Sequence, residues 1–156
     1  MTTPLFAADI NVGGGIHYWR TIKDVSNEYD DLDRDGLAYM ASLQLQPAAL
    51  IRIEGDLEIF PDGFGGSSKT TYAPQGYLVV GSGIFAALGI GINYHDGWAD
   101  KPFYALRAGL DLELLPNVLV EINANYIFME WEDIHDAGDD IDTDTITLGA
   151  MVRVRL

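Results

Sequence analysis

The chemically richest stretch of this chain is a run of aspartates. Residues 31–36 read DLDRDG, which puts Asp31, Asp33 and Asp35 at the first, third and fifth positions of a calcium loop and Gly36 at the sixth. An EF-hand would end in a bidentate Glu at position twelve, between two helices. Position twelve is Ser42, and residues 37–46 alternate as a strand. The motif therefore reads as half of a cation site. Its complement is a second Asp-x-Asp-x-Asp, formed by Asp140, Asp142 and Asp144. A Ca2+ or Mg2+ ion between these six carboxylates is the only cofactor expected. Three histidines, His17, His95 and His135, fall near predicted loop rims, and Ser82 has no histidine close to it in sequence. Nucleophilic catalysis needs such a base within hydrogen-bond reach, so the chain reads as no enzyme.

A second chemically loaded group is Arg52, Glu54, Asp56, Arg107, Asp111, Glu121 and Arg153. Each lies at an alternate position of an otherwise apolar segment. Ile51, Ile53, Gly55, Leu57 and Ile59 share one face, and Arg52, Glu54, Asp56 and Glu58 share the other. Tyr104, Leu106, Ala108, Leu110 and Leu112 likewise oppose Arg107, Gly109, Asp111 and Glu113. At the end of the chain, Ile146, Leu148, Ala150, Val152 and Val154 oppose Thr147, Gly149, Met151, Arg153 and Arg155. Period two over about ten residues is a β-strand with one apolar and one polar face.

The same reading yields strands at 6–19, 37–46 and 118–129, and two more from the uncharged stretch 70–94, divided near Phe85–Ala87. The first half of that stretch, 76–85, has no clear polar face. Eight strands result, in one domain spanning 1–156. Short connections at Gln46–Ala49, Phe85–Ala87 and Leu115–Val118 alternate with long polar ones at 20–35, 61–75, 95–102 and 130–143. An up-and-down meander with short turns at one end and long loops at the other is the layout of a transmembrane β-barrel.

Bulk composition narrows the field further. A net charge of −15 leaves nothing to neutralise phosphates, which excludes nucleic-acid binding. Hydrophobic residues make up 48% of the chain, against disorder, and the absence of cysteine removes disulfide and thiolate chemistry. The opening MTTPLFAADI lacks the basic and apolar regions of a signal peptide, as expected of a cytosolic protein or of a mature chain with a start Met.

Alternation does not say which face is inside. A soluble lipocalin-like carrier would turn the apolar face inward around a ligand, and a membrane barrel would do the reverse. Eleven charges lie on the polar face: Asp9, Glu54, Asp56, Glu58, Asp111, Glu113 and Glu121, with Arg52, Arg107, Arg153 and Arg155. An Arg or Lys facing lipid at the midplane costs roughly 2–4 kcal/mol, so in a membrane these charges must point inward. Aromatic residues near strand ends (Tyr18, Tyr39, Tyr77, Tyr94, Tyr104, Tyr126 and Phe128) suit an interfacial girdle and favour the membrane orientation.

On these features the whole chain resembles the small eight-stranded outer-membrane proteins of Gram-negative bacteria, of the OmpA transmembrane domain, OmpX and NspA type. The final TLGAMVRVRL looks like a barrel-assembly signal, although it closes on Leu156 where the family usually has Phe. The resemblance implies an all-β, eight-stranded antiparallel up-and-down transmembrane barrel in the bacterial outer membrane. It also implies short periplasmic turns, long extracellular loops and a monomer. Expected partners are membrane lipid, lipopolysaccharide and the barrel-assembly machinery. The implied role is structural or surface-interacting, with a narrow gated pore built on the arginine–carboxylate cluster as an addition. With seven interior acids against four arginines, any leak should favour cations. The soluble carrier is the alternative, and a lipid-modifying barrel enzyme is the least favoured reading.

Overall fold

The computed structural model describes residues 8–21, 35–61, 70–94, 97–98, 101–128 and 145–156. These form eight strands: β1 (Asp9–Thr21), β2 (Asp35–Ala48), β3 (Ile51–Phe60), β4 (Thr71–Ser82), β5 (Ile84–Gly91), β6 (Phe103–Leu115), β7 (Val118–Phe128) and β8 (Thr145–Arg155). Every strand is antiparallel to its neighbour in sequence. β1 also pairs β8, from Asn11↔Arg155 to Thr21↔Thr145, and so closes the barrel. Closure removes the unpaired edge that an open sheet would expose, which a lipid-embedded backbone requires.

Burial decides the facing that alternation left open. Along β3 burial strictly alternates from Ile51 to Glu58, with Arg52, Glu54, Asp56 and Glu58 buried and Ile51, Ile53 and Leu57 exposed. The same phase holds on β6 through Arg107, on β7 through Glu121 and on β8 through Arg153, all buried, while Leu106, Ile122, Val152 and Val154 face out. Charges point inward and aliphatics outward, opposite to the order a soluble carrier needs.

Three expectations about the elements are corrected. The β4–β5 turn lies at Ser82–Ile84 rather than Phe85–Ala87, because Gly81 (φ 124°) and Gly83 (φ 79°) supply backbone conformations that L side chains resist. The stretch 61–75 is not all loop, since β4 begins at Thr71. Tyr77 is not in the outer girdle but buried in the lumen. Phe128 keeps its outward phase, stacked on Tyr126 and beside Tyr104, yet is fully covered. Tyr18, Tyr39 and Tyr94 are exposed as expected.

The lumen is filled by two kinds of contact. At the long-loop end Trp19, Ala38, Phe60, Ala73 and Phe103 pack into an apolar layer. Along β4, β5 and β6 a second apolar group joins Tyr77, Val79, Phe85, Ala87 and Ala105. Five rings in the lumen lie over the glycine directly opposite on the next strand: Trp19 on Gly36, His17 on Gly149, Tyr77 on Gly89, Phe85 on Gly109 and Phe103 on Gly91. In each case an added Cβ would collide with the ring. A narrow barrel accommodates flat side chains this way, by deleting the Cβ they would strike.

Candidate functional site

The polar part of the lumen centres on Glu54. One of its oxygens accepts from Arg107 Nη1 at 2.5 Å and is ion-paired with Arg153 Nη2 at 2.9 Å. The other accepts from Gln44 Nε2 at 2.7 Å, and Gln44 Oε1 in turn accepts from Asn11 Nδ2 at 3.0 Å. Five strands thus converge on one carboxylate: β3 carries it, β6 and β8 bring the arginines, and β2 and β1 bring the amides. Arg107 also donates from Nη2 to Asp56 at 2.9 Å and from Nε to Asn125 at 2.6 Å. Its guanidinium carbon lies 3.8 Å from the centre of the Tyr77 ring. A planar guanidinium suits both tasks, forking to carboxylates at its edge and stacking through its face.

From this centre the network extends to both ends. Toward the short turns, Arg153 Nη1 pairs with Glu121, and Glu121 also accepts from Asn123 Nδ2 at 2.6 Å. Arg52 pairs with Asp111 and stands over the Phe85 ring. On the β7–β8 wall, Asn125 Nδ2 donates to Asn123 Oδ1 at 3.1 Å and, on the long-loop side, to Thr147 Oγ1 at 2.9 Å. Toward the long loops, Glu58 lies 2.9 Å from His17 Nδ1 and accepts from Gln75 Nε2 at 2.6 Å. The Tyr77 hydroxyl donates to Gln75 Oε1 at 2.5 Å, so a continuous chain runs from His17 to the ring under Arg107.

The seven charges singled out from sequence, Arg52, Glu54, Asp56, Arg107, Asp111, Glu121 and Arg153, therefore meet in one lumen and pair with one another. Buried charges are tolerated when their partners and remaining hydrogen-bonding sites are supplied, and here amides and hydroxyls complete much of the set. Sequence reasoning missed those neutral members, Gln44, Gln75 and Thr147 among them. The only signal for Gln44 and Thr147 is a place on the polar phase of a strand, and Gln75 falls in the expected loop 61–75.

Other expectations need revision. His17 is not a rim residue; it is buried against Glu58, with room made by Gly149. Asp9 and Glu113, counted as interior acids, are exposed at the short-turn mouth, where Glu113 accepts from the Asn117 amide at 3.2 Å. Ser82 ends β4 at the short turns, whereas His17 lies toward the long loops, so the two do not form a nucleophile–base pair. His95 and His135 lie outside the described residues. So do five of the six aspartates of the expected cation site, Asp31, Asp33, Asp140, Asp142 and Asp144; the backbone of Asp35 opens β2, opposite Arg20 in the β1–β2 ladder. Among the described residues no group of three histidine or carboxylate side chains is placed to hold a metal ion.

No family model matches the chain, and no curated protein matches it in sequence. Solved structures do match. Neisserial surface protein A superposes with a TM-score of 0.63 at 14% identity, covering 94% of this chain and 97% of that one. Ail, the attachment invasion locus protein of Yersinia pestis, gives 0.58 at 16% identity over 96% of this chain and 99% of its own. The N-terminal β-barrel domain of Pseudomonas aeruginosa OprF gives 0.58 at 10% identity, with 96% and 99% covered. At such low identity the likeness is one of architecture: the chain has the fold of the small eight-stranded outer-membrane β-barrels.

Proposed function

We propose that this protein is an integral β-barrel of the bacterial outer membrane with a structural or surface-interaction role. The observation that carries the reading is the facing of the strands. Leu43, Ile53, Leu78, Ile122 and Leu148 are about half exposed on the outside, while Arg52, Glu54, Arg107, Glu121 and Arg153 are buried and paired inside. Water would penalise the outer face and lipid would not. In this reading the outside meets membrane lipid and lipopolysaccharide, the barrel-assembly machinery inserts the chain, and the protein works as a monomer without enzymatic activity. Detergent dependence tests it. The protein should stay monodisperse only in detergent or lipid and should change gel mobility on heating. A monodisperse detergent-free sample would sink it.

A second reading adds a narrow, gated, cation-preferring pore, and one observation favours it. Glu54 is shared by Arg107 and Arg153, and Arg153 is shared in turn by Glu54 and Glu121, so an arginine can exchange carboxylates without losing all its partners. Planar-bilayer recordings of the protein and of Arg107→Ala and Glu121→Ala separate the readings. Altered, cation-selective steps support a gate, and silence in every form leaves the scaffold. The acidic loop segments add a proposal of their own, that Ca2+ or Mg2+ binds at Asp31, Asp33, Asp35, Asp140, Asp142 and Asp144. Calorimetry with and without those six aspartates tests it, and no heat in either form removes it.

A further inference from the structure

The two ends of the barrel differ on their outer surface. Among the described residues, every outward-facing aromatic lies toward the long loops, including Tyr18, Tyr39, Tyr72, Tyr94, Trp98 and Tyr104. Among the described residues the short-turn end has none. Its three turns, Gln46–Ile51, Ser82–Ile84 and Leu114–Val118, also contain no charged residue. In their place they expose Leu50 (58%), Ile84 (76%), Leu114 (64%) and Leu115 (64%), more open than most of the belt above them. A barrel end that stands in water is ordinarily marked off from the lipid by an aromatic girdle. Here aliphatic side chains continue into the turns, interspersed only with small or uncharged residues such as Gln46, Ser82, Gly83, Pro116 and Asn117.

The turn backbone has the complementary property. The Leu50 carbonyl accepts from the Gly81 amide at 2.9 Å, the Gly83 carbonyl from Asp111 N at 2.7 Å, and the Asn117 carbonyl from Arg155 N at 2.9 Å. Each turn thus gives a carbonyl to the adjacent hairpin. The Ala49 carbonyl accepts from Gln46 Nε2 at 3.2 Å, and the Asn117 amide is held by Glu113. Turns bathed in water have no need of such satisfaction, whereas turns at a lipid boundary do. The charges at this end, Asp9, Glu113 and Arg155, sit on the lumen-facing phase, where the mouth stays polar while the outer rim is apolar.

We propose that the short-turn end is set into its leaflet, with Leu50, Ile84 and Leu115 in contact with lipid acyl chains below the head groups. The long-loop aromatics alone then hold the barrel at an interface. This inference rests on the outer-membrane reading, and its test keeps the two apart.

The chain has no cysteine, so single nitroxide labels can be placed without background at Leu115→Cys and Ile84→Cys, and at Leu43→Cys in the middle of the belt. Each full-length variant is reconstituted in phosphatidylcholine vesicles, and its folding is checked by heat-dependent gel mobility. Two turn positions are used so that one misfolded variant leaves the other. Oxygen should relax the labels at Leu115 and Ile84 more strongly than a water-soluble nickel chelate does, as at Leu43. The proposal is overturned if nickel dominates at both turns while oxygen dominates at Leu43, because the end then stands in water. It is equally overturned if both turn labels are screened from both reagents, because a protein surface then covers them. Nickel dominance at Leu43 itself would overturn the membrane reading, and this inference with it.

Discussion

β3 turns Arg52, Glu54, Asp56 and Glu58 into the lumen, while the next two strands, β4 and β5, turn in Ala73, Gln75, Tyr77, Val79, Phe85 and Ala87 without a charge. Both walls are closely filled, but by different physics. On the charged wall each group needs a directed partner, and the partners come from strands far away in sequence: Arg107 is 53 residues from Glu54, and Ser42 is 111 from Arg153. On the uncharged wall the requirement is volume, met locally by a ring on one strand and a glycine on the next. Arg107 joins the two, forking to carboxylates at its edge and lying over Tyr77 with its face. The charged wall should therefore fail by leaving an ion unpaired, and the uncharged wall by overfilling.

The largest effect is expected where an ion loses its partner. Arg107→Ala leaves Asp56 without its ion partner and Glu54 with Arg153 alone, and should cost about 3–5 kcal/mol in urea unfolding of the reconstituted barrel. A loss below about 1 kcal/mol would mean that the charged wall does not depend on this pairing. Overfilling should cost less. In Gly89→Ala the new methyl strikes the Tyr77 ring, for about 1–3 kcal/mol by the same measurement. If Gly89→Ala proves neutral, the ring-on-glycine account of the uncharged wall is wrong. Smaller still is Tyr77→Phe, which removes only the hydroxyl bond to Gln75 and keeps the ring under Arg107, for about 0.5–1.5 kcal/mol. Gly76→Ala is the reference. It is on the same strand but faces out with nothing within 4 Å, and it should stay within about 0.5 kcal/mol of the parent.

The same two walls show how far sequence reading reaches. β3 was legible because acids and arginine alternate with isoleucine and leucine, and only one facing of that pattern is tolerable in lipid. β4 and β5 were not, because an interior built from aromatics and glycines has the composition of an exterior. Nothing in TYAPQGYLVVGS marks Tyr77 as facing in, so it reads as part of the girdle and the expected turn falls later than the observed one. His17 misled for a related reason. A histidine near a strand end reads as rim, and only the β1–β8 register brings it over Gly149, beside Glu58 from a third strand.

By itself the sequence determined the number of strands, the facing of the charged ones, the alternation of short and long connections and the set of charges that must share the interior. Those properties follow from period-two patterning and the cost of charge in lipid, both of which act locally along the chain. The tertiary structure alone decided who pairs with whom: that Glu54 serves two arginines, that Glu58 holds His17, that rings settle on glycines across the ladder, and that each short turn has a carbonyl satisfied by an amide of the adjacent hairpin. Each of these depends on the register between strands and on barrel closure, which bring residues many positions apart to one height. A one-residue slip in register would leave the composition unchanged and dissolve every one of those contacts.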